Sequence, residues 1–159
     1  MKKFELCMDK SITIFGKKLF KIKAIISFSS VKAGEYGGYI EKEENLSQSG
    51  DAWVSGDAQV YGDARVSGNA QVYGNAWVSG NARVSGNADY IQISPIGSRD
   101  DTVTFFKSKE NTIFVNVGCF FGNIEKFKEK IEETHGNNKN AKAYLLAAEI
   151  AHIRLTEEK

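Results

Sequence analysis

From Asn45 to about Tyr90 one six-residue unit recurs, and that period excludes most folds open to a chain of this length. The units are Asp51-Ala-Trp-Val-Ser-Gly56, Asp57-Ala-Gln-Val-Tyr-Gly62, Asp63-Ala-Arg-Val-Ser-Gly68, Asn69-Ala-Gln-Val-Tyr-Gly74, Asn75-Ala-Trp-Val-Ser-Gly80 and Asn81-Ala-Arg-Val-Ser-Gly86, with a trailing Asn87-Ala88. Ala and Val sit two apart in each unit, so both face one side of a short strand. The residue between them (Trp53, Gln59, Arg65, Gln71, Trp77 or Arg83) faces the other side. The Gly-Asp or Gly-Asn pair makes the corner, because these residues tolerate the positive φ of a tight turn.

Corners every six residues wind the chain into a three-sided coil of eighteen residues per turn, a β-solenoid. Residues eighteen apart then stack at a strand spacing of about 4.8 Å. Arg65 is expected beneath Arg83, Gln59 beneath Trp77 and Trp53 beneath Gln71. Columns of Val54, Val60, Val66, Val72, Val78 and Val84 fill the interior beside alanines. Such an interior is a dry scaffold with no room for a ligand.

The units resemble the hexapeptide repeats of left-handed β-helices. The stretch from Val31 to Ser47, with Ala33-Gly-Glu-Tyr-Gly-Gly-Tyr-Ile-Glu41 at its centre, is similar to a group of phage- and prophage-encoded hexapeptide-repeat proteins often labelled acyltransferases. The resemblance covers roughly residues 18 to 155. It implies the left-handed winding, which periodicity alone does not set. It also implies association into oligomers, with a trimer about the coil axis as the first expectation.

The formal net charge is +1, so no global field favours nucleic acid or a membrane surface. Fifteen Gly against one Pro suits repeated corners better than a flexible linker. Cys7 and Cys119 lie far apart among apolar neighbours and read as two reduced thiols. The first residues contain no apolar run of signal-peptide or membrane-spanning length, so the expected location is a cytoplasm, that of the host cell if phage-encoded.

The expected architecture is mainly β, in three parts. Residues 1–30 form an N-terminal β-hairpin cap with Gly16-Lys17 at its turn, 31–89 the solenoid, and 90–159 a small unit of strands followed by two helices. The hairpin is rich in lysine (Lys2, Lys3, Lys10, Lys17, Lys18, Lys21, Lys23) and reads as a solvated edge. Gly37-Gly38 reads as the turn that leads into the coil. In the C-terminal part, strands are expected near 90–94, 102–107 and 112–118. Asn123 caps a helix with Ile124, Phe127 and Ile131 on one face, ending at His135-Gly136. Asn140 opens a second helix with two apolar stripes, which suggests burial between layers or against a partner subunit. Outward Trp53, Tyr61, Tyr73 and Trp77 would form the oligomer interface.

No catalytic constellation appears. Hexapeptide acyltransferases present a histidine on or beside the coil as general base, and here the only histidines are His135 and His152. No metal-ligand spacing, paired carboxylates or phosphate loop is present, and no cofactor is expected. Ligand binding is the remaining chemistry. Ser98, Arg99 and Asp100 form a polar turn, and Gly118, Cys119, Phe120, Phe121 and Gly122 lead toward a helix N-terminus that favours an anion. Arg99 folded over that turn would bind a phosphate or nucleotide, with Phe120 or Phe121 stacking on a base. The plainer alternative pairs Arg99 with Asp100, Asp101 or a neighbouring acid and places both phenylalanines in the core.

The sequence thus points to a non-enzymatic oligomeric binding module for a small anionic, nucleotide-like ligand or a host immune protein, with an anti-defence role suggested by the phage resemblance. A structural or assembly protein is the alternative, and an acyltransferase-like enzyme comes third.

Overall fold

A computed structural model describes residues 1–156 and divides the chain into two compact units, Met1–Asn87 and Ala88–Lys159. The hairpin and the solenoid belong to one unit.

In the first unit, β1 (Phe4–Ile14) and β2 (Lys17–Ala24) pair antiparallel, and β3 (Tyr36–Ile40) pairs with β2. Ile14 lies opposite Lys17, so the turn is Phe15-Gly16, both at positive φ, and not Gly16-Lys17. Glycine therefore takes the second turn position, and Phe15 accepts the left-handed conformation that a twisted two-residue turn requires. The β1–β2 register shifts between Cys7 and Ser11, which bulges Met8, Asp9 and Lys10 out of the ladder.

The coil consists of two-residue strands: β4 (Trp53–Val54), β5 (Gln59–Val60), β6 (Arg65–Val66), β7 (Gln71–Val72), β8 (Trp77–Val78) and β9 (Arg83–Val84). They stack in parallel as β4–β7, β5–β8 and β6–β9, so Trp53 meets Gln71, Gln59 meets Trp77 and Arg65 meets Arg83. Every valine and alanine facing inward from residue 52 to residue 84 is buried. The glycines from Gly50 to Gly80 turn the corners at φ between 62° and 74°. These columns are the ones the eighteen-residue spacing predicts, and the chain is a β-solenoid.

The hairpin extends one side of the coil as a five-stranded sheet, β1-β2-β3-β5-β8. Gly37 and Gly38 lie within β3 and not in a turn. A Cβ on Gly38 would come within 2.6 Å of the Ala58 carbonyl and 2.8 Å of Val54, so close approach to the coil demands glycine here.

A solenoid's first turn leaves backbone carbonyls with no strand before them. Within the repeats, Asp51 and Trp53 donate to the carbonyls of Gly68 and Ala70, and the same pattern runs round the coil. At the open edge, the Lys3 ammonium donates to the carbonyls of Gly50 (3.3 Å) and Ala52 (2.7 Å). On a second side the Asn45 amide donates to those of Gly62 (3.1 Å) and Ala64 (2.9 Å). On the third, Tyr39 N–H meets the Ala58 carbonyl. Lys3 is therefore buried, not part of a solvated edge. Phe28 lies over its ammonium at 4.8 Å, and burial holds the lysine below its ordinary pKa. At the last turn, the Asn87 side chain accepts from Gln71 N–H.

The second unit is an antiparallel meander of β10 (Tyr90–Ile96), β11 (Asp101–Lys107), β12 (Ile113–Val117) and β13 (Phe120–Asn123), followed by α1 (Ile124–His135) and α2 (Lys139–Leu155). Val103, Phe105 and Val115 from the sheet pack with Phe127, Ile131, Tyr144, Ala148 and Leu155 from the helices. Asn123 caps α1 as expected, accepting from Lys126 N–H at 2.8 Å. Asn138, and not Asn140, caps α2. Of the two stripes on α2, Ala141, Tyr144, Ala148 and Leu155 are buried, while Leu146, Ile150 and Ile153 are exposed.

Candidate functional site

The expected ligand site divides. Gly118-Cys119 is a hairpin turn, since Val117 pairs with Phe120 across it. β13 runs directly into α1, so residues 117–122 lead from β12 through this turn and a further short strand to the helix N-terminus. The sequence reading missed β13 because Gly118 and Gly122 break the apolar run. The turn does lie beside the Ser98-Arg99-Asp100 turn at one end of the sheet: a Cβ on Gly118 would stand 3.9 Å from an Asp101 carboxylate oxygen. Arg99 makes no ion pair with Asp100 or Asp101. Phe120 packs against Phe127 with ring centroids 5.7 Å apart, as core filling requires. Phe121 faces the other side of the sheet, 47% exposed, stacked on Phe114 at 5.5 Å.

The four aromatics expected at an interface are also in different situations. Trp53 points out of the coil but is only 2% exposed, because Phe28 covers it edge-on at 5.3 Å. Tyr61 is buried, and its hydroxyl pKa is raised by that burial against a hydrogen bond with Ser79. Trp77 is half-buried against Phe15 of the hairpin tip. Tyr73 alone of the four is mainly exposed, at 56%.

A concave surface lies on the first unit, where the outward ladder runs Asn45–Arg65–Arg83. Leu46 pairs with Val66, twenty residues on, whereas Val66 pairs with Val84, eighteen on. The first turn thus carries two extra residues on this side, and the loop that holds them brings Gln48 to the N-terminal strand. The Gln48 carboxamide oxygen accepts from Lys3 N–H at 2.7 Å and from Phe4 N–H at 3.2 Å. Asn45 turns inward to the coil carbonyls, so the ladder position below Arg65 is vacant on the outside. The result is an open groove of about 630 Å³ lined by Glu43, Glu44, Ser47, Gln48, Arg65 and Arg83, among others.

The charges in the groove are unequally engaged. One Arg83 terminal nitrogen donates to the carbonyls of Asp63 (2.9 Å), Asn81 (3.2 Å) and Ala82 (2.9 Å), which fixes its guanidinium. Glu43 pairs with Lys2 at 3.2 Å, and Lys42 pairs with Asp63 at 3.1 Å. That hydrogen bond and the Lys42 charge hold the Asp63 carboxyl below its usual range, with Arg65 a smaller contributor. Arg65 and Glu44 make no ion pair among the described residues. An adjoining smaller hollow is bordered by Lys42, Glu44, Asp63 and Arg65.

The ionisable groups of the groove are two carboxylates and two guanidinium groups. The groove residues include no histidine or cysteine. Among the described residues no cluster of three or more His, Cys, Asp or Glu could hold a metal, and no helix is long and apolar enough to cross a membrane.

Comparison with known families agrees with the coil. Residues 58–74 and 70–86 match the YdcK beta solenoid repeat. The match lies within the six-residue units and extends over neither the hairpin nor the second unit. No curated protein matches the chain.

Proposed function

We propose that this chain is a non-enzymatic binding module, a left-handed β-solenoid that assembles into a homo-oligomer and holds a small ligand bearing an anionic group. The supporting observation is the groove beside stacked Arg65 and Arg83. Two arginines on adjacent rungs, their backbones about one strand spacing apart and one guanidinium fixed by backbone carbonyls, suit an oxyanion. Placing it on a coil repeated by symmetry would give several equivalent sites. The phage origin and the anti-defence role, with a host protein as the alternative target, rest on the family resemblance of residues 31–47, and the nucleotide-like character of the ligand rests on the turns at Arg99 and at Gly118–Gly122. The experiment is native mass spectrometry with calorimetry against inorganic phosphate and nucleoside monophosphates, using wild type and Arg65→Ala. A symmetric oligomer whose anion binding is lost in Arg65→Ala supports the reading. Equal binding by both proteins, or none by either, overturns it.

The exposed Leu146, Ile150 and Ile153 on α2 favour a second reading, a structural protein whose C-terminal unit makes the assembly contact. In that case loss of the row dissolves the assembly, and Arg65→Ala has no effect.

A further inference from the structure

We infer that the groove takes a dipolar ligand, a short peptide with free ends, whose carboxylate meets Arg65 and Arg83 and whose ammonium meets Glu44. This rests on the groove being the binding site and narrows its ligand. Glu44 and Arg65 line both the groove and the adjoining hollow, yet neither is neutralised by an ion pair. Opposite charges sharing one concavity without closing on each other leave room for a ligand that carries both complements.

Glu43 adds a second carboxylate to the lining, though Lys2 already engages it. A ligand negative along its whole length, such as a nucleoside polyphosphate, meets the arginines and is repelled by Glu44. A dipolar ligand meets no such conflict, and discrimination of this kind comes from the repulsive group as much as from the attractive one. The volume of about 630 Å³ lies in the range of small-molecule sites, which suits a peptide of a few residues. Ser47, Gln48 and Ser67 supply neutral polar groups along the lining, as a peptide backbone requires.

Trialanine is the probe, titrated by calorimetry into the full chain beside N-acetyl-trialanine and trialanine amide. Both blocked forms are expected to bind at least about tenfold more weakly, the loss of one charge-assisted contact each. Glu44→Gln should bind trialanine and its N-acetyl form equally, and Arg65→Ala should do the same for trialanine and its amide. Circular dichroism checks that the fold survives both exposed substitutions. Equal binding of trialanine and N-acetyl-trialanine to wild type, or a silent Glu44→Gln, overturns the dipolar assignment. The anion-binding reading then still stands if phosphate binding depends on Arg65. No binding of any peptide overturns the assignment, and absent phosphate and nucleotide binding as well removes the groove as a site.

Discussion

Lys3 and Asn45 serve the same purpose on two sides of the coil: each side chain offers two N–H bonds to a pair of carbonyls that a preceding turn would otherwise satisfy. The acceptors are equivalent positions of the repeat, Gly50 and Ala52 in one case and Gly62 and Ala64 in the other. Two polar side chains thus end a solenoid that could otherwise add another turn.

Asn45→Ala should therefore destabilise the first unit well beyond an ordinary surface change. It removes both donors and the acceptor for Lys42 N–H, at a cost of about 1–3 kcal/mol. Urea denaturation checks this, and Glu44→Ala next door should fall within about 0.5 kcal/mol of wild type.

The Lys3 ammonium gives the unit a particular pH dependence. Burial lowers its pKa, so in the folded state it loses its proton before an unfolded chain would. From that lowered value up to the ordinary 10.5 the unfolded chain holds more protons, and stability contributed by this group rises with pH. Chemical denaturation across the alkaline range should show the rise in wild type and its loss in Lys3→Met.

Gly38→Ala and Gly16→Ala separate two reasons for glycine. At Gly38 an added Cβ strikes the Ala58 carbonyl and Val54, so the sheet must part from the coil, with a loss of about 2 kcal/mol or more. At Gly16 the space is open and only the φ of 77° is strained, at about 1 kcal/mol. Thermal melts of the two variants should rank in that order.

Arg83→Lys should weaken anion binding more than Arg65→Lys does. Arg83 keeps a fixed fork because one nitrogen is tied to three carbonyls, and an ammonium cannot both satisfy those carbonyls and present a second donor face. Arg65 has no such anchorage and acts through charge. Phosphate titration of the two variants measures the difference.

Tyr73→Ser tests the oligomer. The side chain is largely exposed, so the single chain should stay folded, which a thermal melt checks. A fall in mass by light scattering would place Tyr73 in a subunit contact. An unchanged oligomer would direct attention to Leu146, Ile150 and Ile153.

The coil was legible because its period is local: Ala and Val two apart, with glycine at each corner, specify which side chain turns inward at every unit. The columns Trp53–Gln71, Gln59–Trp77 and Arg65–Arg83 followed from counting residues. The second unit was read nearly as well through Asn123 and the spacing of Ile124, Phe127 and Ile131, but β13 escaped because two glycines obscured it. At the expected anion site the two turns do meet at one end of the sheet, but the short strand β13 stands between the Gly118-Cys119 turn and the helix it leads to.

Period and corner chemistry in the sequence alone determined a three-sided coil with a valine and alanine interior. Tertiary structure decided what that period does not encode: the burial of Lys3, the cover that Phe28 places over Trp53, and the inward turn of Asn45. Each of these satisfies or shields a group far away in the chain, and no local pattern carries such a contact. The groove beside Arg65 and Arg83 exists for the same reason, because a two-residue excess and one inward asparagine leave the ladder open below them.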